Sequence, residues 1–211
     1  MLNLPGSTHL PLISLLVLWC VLHSVLISKS VSELSERYFA RFHRIIYNIF
    51  AAISFLLLIG YERSLEKSLV FEFDGILEFV RIIILMFSLL IFLMGAMSYD
   101  LLQFTGFRQI RSNANHKALT QSGDFVVSGP SKIIRHPWYA AAFLAIWSNT
   151  GQWYDTTLIV NLIFSIYLLI GTLLEERKLV RLFGDSYRNY QNEVSMFIPV
   201  KWAKNWFKAT R

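Results

Sequence analysis

ILEFVRIIILMFSLLIFLMGAMSY, residues 76–99, carries only two charged side chains, Glu78 and Arg81, both near its start. From Ile82 to Tyr99 there is no charge at all. A helix rises about 1.5 Å per residue, so such a run reaches across most of the roughly 30 Å hydrocarbon layer of a bilayer. Only a structure that satisfies its own backbone can lie there, and for a single segment that means a helix. Residues 10–28, 45–61 and 156–174 are apolar runs of the same kind. A shorter one, 133–149, has Arg135 and His136 at its entrance.

Composition agrees. Hydrophobic residues make up 55% of the 211, and charged residues 16%, against roughly 25% charged in soluble domains. The expected fold is all-α: a polytopic integral membrane helical bundle of about five transmembrane helices with a C-terminal helical tail. Four spans plus a re-entrant 133–149 segment is the other arrangement the pattern allows. A single domain is expected, 1–99 forming a three-span part and 100–211 the part that carries the chemistry.

Basic residues set the orientation. The first connection holds Lys29, Arg37, Arg41 and Arg44. The second has Arg63, Lys67 and Arg81 offset by Glu62, Glu66, Glu72, Asp74 and Glu78. Arg108, Arg111, Lys117, Lys132 and Arg135 precede the short run, and the tail is basic throughout. Alternation of this kind puts the N-terminus outside and the C-terminus in the cytoplasm. The net charge of +6 therefore faces membrane lipids, and a nucleic-acid partner is excluded. Lys201, Lys204 and Lys208 interleave with Trp202, Trp206 and Phe207, as in an interfacial helix.

The first apolar run lacks the basic start and small-residue cleavage site of a signal peptide. Cys20 is the only cysteine, so no disulfide framework is expected. The five histidines form no i, i+4 pair, and no metal site is expected.

Chemistry is left to two polar regions, 100–137 and 175–199. Pro137 suits the first turn of a helix, which places His136 where free amides and the dipole favour an anion. Snorkelling of Arg135 and His136 to headgroups is the plainer alternative. Glu175 and Glu176 directly follow Leu173-Leu174. Carboxylates at a helix C-terminal end and a bilayer boundary are costly and usually face protein or a wet cavity. They could equally belong to a helix running on into water with Arg177 and Lys178. Tyr187 and Tyr190 share a helical face, able to line a pocket or to sit in an aromatic belt.

These elements occur in a telling order: Ser128-Gly129, Arg135-His136-Pro137-Trp138-Tyr139, two apolar runs, Glu175-Glu176, Phe183-Gly184-x-x-Tyr187-x-x-Tyr190, Val194 and Pro199. In that order the chain resembles the isoprenylcysteine carboxyl methyltransferase family, membrane enzymes that use S-adenosylmethionine. Leu22-His23-Ser24-Val25, Tyr47-Asn48, Gly106-Phe107-Arg108-Gln109 and Glu193-Val194-Ser195-Met196 are similar to its bacterial NnrU-like branch, which includes methanethiol S-methyltransferases.

The resemblance implies S-adenosyl-L-methionine as cofactor, held at the cytoplasmic face of a bacterial inner membrane. Its contacts would be His136, Pro137, Trp138, Tyr139 and Glu175, with Gly123, Asp124, Phe125 and Val126, and His116 and Ser131 beside them. Tyr187 and Tyr190 would complete the pocket. Arg135 or His136 would stabilise the nucleophile's charge, and Glu176 or His23 would take its proton. The implied reaction is methyl transfer to a small or lipophilic thiol, or to a carboxylate. Phospholipid or amine N-methylation and a non-enzymatic membrane role are the alternatives. In the prenylcysteine enzymes an arginine one turn before the Glu pair engages the substrate carboxylate, and Gly171 stands there in this chain. That departure argues against a free prenylcysteine carboxylate. The sequence leaves the oligomeric state open.

Overall fold

A computed structural model of the chain describes residues 9–98, 127 and 129–209. The apolar runs are helices: α1 (His9–Leu26), α2 (Lys29–Phe39), α3 (His43–Ser64) and α4 (Gly75–Ser98) precede the undescribed stretch. After it come a 3-10 turn (Gly129–Lys132), α5 (Pro137–Ser148), α6 (Asp155–Phe183), α7 (Asp185–Glu193) and α8 (Val200–Ala209). Among the described residues four segments are long and apolar enough to cross a membrane: His9–Leu26, Lys29–Ser64, Gly75–Ala96 and Asp155–Phe183. The protein is an all-α polytopic integral membrane protein.

The short apolar run does not make a full span alone. Its helix, α5, has 12 residues, about 18 Å at the helical rise. The cause is local. The residue before a proline is disfavoured in the α region, and His136 sits at φ −123°, ψ 69°. At the other end Asn149 turns its amide back onto the Ile146 carbonyl at 3.0 Å.

A second difference from an all-helical expectation is a small antiparallel ribbon of β1 (Leu69–Glu72) and β2 (Gln152–Tyr154). Leu69 pairs with Tyr154, Phe71 with Trp153 and Glu72 with Gln152. Runs of three and four residues are too short to show period-two patterning in sequence. The pairing is held by the Phe71 and Trp153 rings, 5.7 Å apart, and by the Gln152 amide donating to Glu72 at 2.8 Å.

The contacts group the chain into two compact units. The first takes in residues 9–72 and 152–164. Leu12, Leu16 and Cys20, spaced by one helical turn, are buried on one side of α1. Hydrogen bonds supplement the packing, because lipid removes the hydrophobic drive for helices to associate. The Trp19 indole donates to Ser54 Oγ at 3.0 Å. The Glu62 carboxylate, 8% exposed, accepts from Thr156 Oγ1 at 2.5 Å.

The second unit takes in residues 73–98, 127, 129–151 and 165–209. Here α4 packs on α5 through small residues. Ala140 and Ala141 are buried, and Ser88 Oγ donates to the Ala141 carbonyl at 2.9 Å. Gly95 lies so close to Trp138 that an added Cβ would collide with the indole. Outward residues such as Ile76, 72% exposed, are the lipid-facing side. At the end of α6, Gly184 adopts φ +56°, which a residue with a Cβ takes only at a cost. That left-handed residue lets α7 turn back instead of extending α6.

Candidate functional site

The site lies in the second unit and is assembled from three segments. The strand-like residues before α5 pair with the chain after α7. Ile134 bridges Ser195 in parallel. The Arg135 amide donates to the Ser195 carbonyl at 2.8 Å, and the His136 amide to the Met196 carbonyl at 3.2 Å. Pro137 then starts α5. The third segment is α6, which stays helical past the apolar run, so Thr172 and Glu176 are buried one turn apart.

Glu176 is the centre of a buried polar network. It is 5% exposed. Its Oε1 accepts from Arg135 Nε at 2.9 Å, His136 Nε2 at 2.6 Å and the Tyr187 hydroxyl at 2.7 Å. Its Oε2 accepts from Arg135 Nη2 at 2.9 Å and Gln191 Nε2 at 2.5 Å. Arg135 also donates Nη1 to the Val194 and Gln191 carbonyls, at 2.5 and 3.2 Å. A carboxylic acid would have to give up one of these acceptor positions for its own proton, so the geometry calls for the carboxylate. The bidentate guanidinium provides the compensating charge. Burial first, and then the bond to Glu176, push the Tyr187 phenol above its ordinary value, which keeps it a donor.

The carboxylate fixes the state of His136. Since Glu176 only accepts, Nε2 must carry the hydrogen, and in the neutral ring the lone pair is then on Nδ1. That nitrogen faces Glu175 Oε2 at 3.8 Å, too far for a hydrogen bond. Glu175 Oε2 is buried and has no hydrogen-bond partner among the described residues. An acceptor oxygen and a ring nitrogen thus stand side by side, each able to engage a polar ligand.

Next to them is an apolar cavity of 610 Å³. Phe87, Met94, Ile134, Pro137, Phe143 and Phe197 are among the residues lining it. Phe197 joins the two compartments: it lines the cavity, packs on Phe143 at 5.5 Å between ring centroids, and faces the His136 ring at 6.3 Å. Tyr139 closes the other side of His136, edge-on at 5.5 Å.

The residues singled out from sequence meet different fates. Arg135, His136, Pro137, Tyr139, Glu175 and Glu176 come together here. Tyr187 and Tyr190 are buried, 1% and 9% exposed, in a core with Val194. Their hydroxyls are committed, Tyr187 to Glu176 and Tyr190 to the Ser131 carbonyl at 2.6 Å. Both tyrosines brace the walls. Trp138 turns toward α4, its indole stacked on Phe92 and donating to the Phe92 carbonyl at 3.1 Å. His23 belongs to the first unit, where Tyr47 Oη lies 2.9 Å from its ring and Trp19 stacks on it at 4.8 Å. His116, Gly123, Asp124, Phe125 and Val126 lie outside the described residues. Gly171 is in contact range of Tyr139, whose Cε1 is 3.9 Å from where a Cβ would stand.

Gln191 and Phe197 were not anticipated. Gln191 follows Tyr190 directly and stands at i+4 from Tyr187, so the same helical face that marked the tyrosines carries it close to Glu176. Gly95 gave no signal, because a glycine in an apolar run has no sequence mark of its packing.

The family described as NnrU protein matches residues 11–150. A methanethiol S-methyltransferase of Pseudomonas deceptionensis is 47% identical over 68 residues, 32% of this chain and 26% of that protein. Methanethiol S-methyltransferase 1 of Bradyrhizobium diazoefficiens is 29% identical over 192 residues, 88% of this chain and 65% of that one. A methanethiol S-methyltransferase of Mycobacterium tuberculosis is 32% identical over 98 residues, 44% of this chain and 38% of its own. The chain thus spans less than two thirds of the length of the curated relatives it matches. No solved structure matches it.

Proposed function

The chain belongs to the NnrU family, and from that premise we propose that it is a membrane methyltransferase that uses S-adenosyl-L-methionine to methylate a small or lipophilic thiol. The observation that carries this reading is the pairing of His136 Nδ1 with the unpartnered Glu175 Oε2, next to an apolar cavity that shares Phe197 with it. One compartment suits a polar, charged donor and the other an apolar acceptor.

The residues fit the cofactor. Glu175 offers an acceptor for its cationic or hydroxyl groups, and the start of α5 offers a helix N-terminus for its carboxylate. Bound there, the cofactor would supply an electrophilic sulfonium methyl. The protein's own contribution is alignment and exclusion of water. Arg135, Tyr187 and Gln191 hold Glu176, and Glu176 holds the His136 ring. A proton-accepting role for Glu176 would displace one of its hydrogen-bond donors and uncouple the charge that neutralises Arg135, so we assign it and Arg135 to positioning. His136 Nδ1 is the better placed group to draw a thiol toward thiolate, a modest demand given the ordinary thiol pKa of about 8.5. We place this site on the cytoplasmic side of a bacterial inner membrane, with the N-terminus outside, because basic connections alternate along the chain.

A thiol suits the cavity, whose walls among the described residues offer no cation to a carboxylate, and Gly171 stands where the resembled prenylcysteine enzymes have an arginine for a carboxylate substrate. The volume also admits acceptors larger than methanethiol. The test is a labelled-methyl transfer screen across alkyl thiols, prenylcysteine analogues and phosphatidylethanolamine, beside calorimetric titration with S-adenosylhomocysteine. Transfer to thiols with saturable cofactor binding is expected. Transfer to phosphatidylethanolamine alone would replace the thiol reading, and absence of cofactor binding by folded protein would end it.

A further inference from the structure

An open groove of 550 Å³ shares Arg135, Glu176 and Gln191 with the buried polar network and is otherwise bounded by Arg177 and Arg181 and by Leu173, Val180 and Met196. Arg135 is neutralised by Glu176. Arg177 and Arg181 are one turn apart on α6, hence on one face. Both are exposed, and among the described residues neither makes an ion pair; Arg181 Nε only returns to the Arg177 carbonyl at 3.3 Å. The groove therefore has two uncompensated guanidinium groups above an apolar floor.

Its level in the membrane follows from α6 itself. Leu173 and Leu174, 43% and 55% exposed, end the charge-free run of residues 156–174, and Arg177 comes one turn later. The groove thus starts in hydrocarbon and opens among headgroups. The amphipathic α8 begins beside it: the Lys201 amide donates to Ser195 Oγ at 3.0 Å and its Nζ to the Gln191 carbonyl at 2.7 Å. Farther along, Trp202 and Trp206 stack at 6.1 Å, in the manner of interfacial anchors.

We propose that this groove is a binding site for one anionic phospholipid, its phosphate taken by Arg177 and Arg181 and the start of its acyl chains lying on Leu173, Val180 and Met196. Guanidinium groups suit a phosphate because their planar fork donates two parallel hydrogen bonds. A free phosphate would leave the apolar floor uncovered, and a zwitterionic lipid would bring its own cation against the two arginines. The site is independent of the methyl-transfer reading.

The test is native mass spectrometry of delipidated full-length protein after equilibration with phosphatidylglycerol or phosphatidylcholine. The wild type should retain one phosphatidylglycerol, with a preference on the order of tenfold, as two surface cations supply. Arg177→Gln/Arg181→Gln should bring that preference close to one. Arg63→Gln/Arg188→Gln, which removes the same charge elsewhere, should leave it intact. Arg177→Lys/Arg181→Lys should keep part of it, since charge stays and the fork is lost. Equal retention of both lipids by the wild type overturns the proposal. So does equal loss of preference in the Arg63/Arg188 control, which would mean diffuse charge and no site.

Discussion

Glu62 and Glu176 are both carboxylates just past the apolar run of a membrane-length helix, and both are buried, 8% and 5% exposed. Their surroundings differ. Glu62 takes one hydrogen bond from Thr156 and has the Lys67 ammonium at 3.7 Å, itself 25% exposed. Glu176 takes five hydrogen bonds from four residues, one of them a guanidinium that is 8% exposed. A carboxylate with a solvated cation can lose its partner to water cheaply. One that neutralises a buried arginine and orients a histidine cannot. Glu62 ties the end of α3 to the start of α6, whereas Glu176 organises a site.

The widest gap should appear on truncation. Glu176→Ala leaves Arg135 buried without its counter-charge, at a cost of about 3–5 kcal/mol, read as a lowered midpoint in detergent-solubilised denaturation. Glu62→Ala should cost well under half of that. Equal losses would break the contrast.

Next in size are the groups that Glu176 organises. His136→Ala should weaken S-adenosylhomocysteine binding by roughly ten- to a hundredfold, as for the loss of a hydrogen bond to a charged group, measured by calorimetry. Glu175→Gln should cost about tenfold on the same grounds while leaving the unfolding midpoint close to wild type, because Glu175 is 39% exposed. Unchanged affinity in both variants would leave Glu176 a structural tie like Glu62.

A smaller effect concerns pH. Tyr187 is held protonated in the folded protein by burial and by Glu176, above the ordinary value of 10.0. Its contribution is complete below pH 10.0. As pH rises past that value the unfolded phenol loses its proton while the folded one keeps it, so stability falls. Tyr187→Phe should remove this part of the alkaline loss, seen as a shallower decline of midpoint with pH. The smallest change is Glu62→Gln, about 1 kcal/mol, since the Thr156 hydroxyl can still donate to the amide oxygen.

Much of this was legible in the chain. Apolar length gave the helices, because hydrocarbon leaves the backbone no other partner. Arg-His-Pro gave the start of α5, because proline constrains the residue before it. The order of short motifs gave the family. What failed to show was commitment. Arg135, Tyr187 and Tyr190 read equally well as groups facing a ligand, and only their partners reveal them as braces. The 12-residue length of α5 was hidden too: the run reads as 133–149 in sequence, and the helix ends are set by Pro137 and by Asn149 folding back on Ile146.

The sequence by itself determined that this is a membrane protein of helices, with polar chemistry at helix ends, since hydrophobic length and residue type act locally. Tertiary structure alone decided that His136 and Glu176, forty residues apart, share a hydrogen, and that Glu175 next door keeps an oxygen open. Helix phase turns consecutive carboxylates in different directions, and what each then meets depends on segments distant in the chain. That is why one glutamate is consumed by the scaffold and its neighbour is left for a ligand.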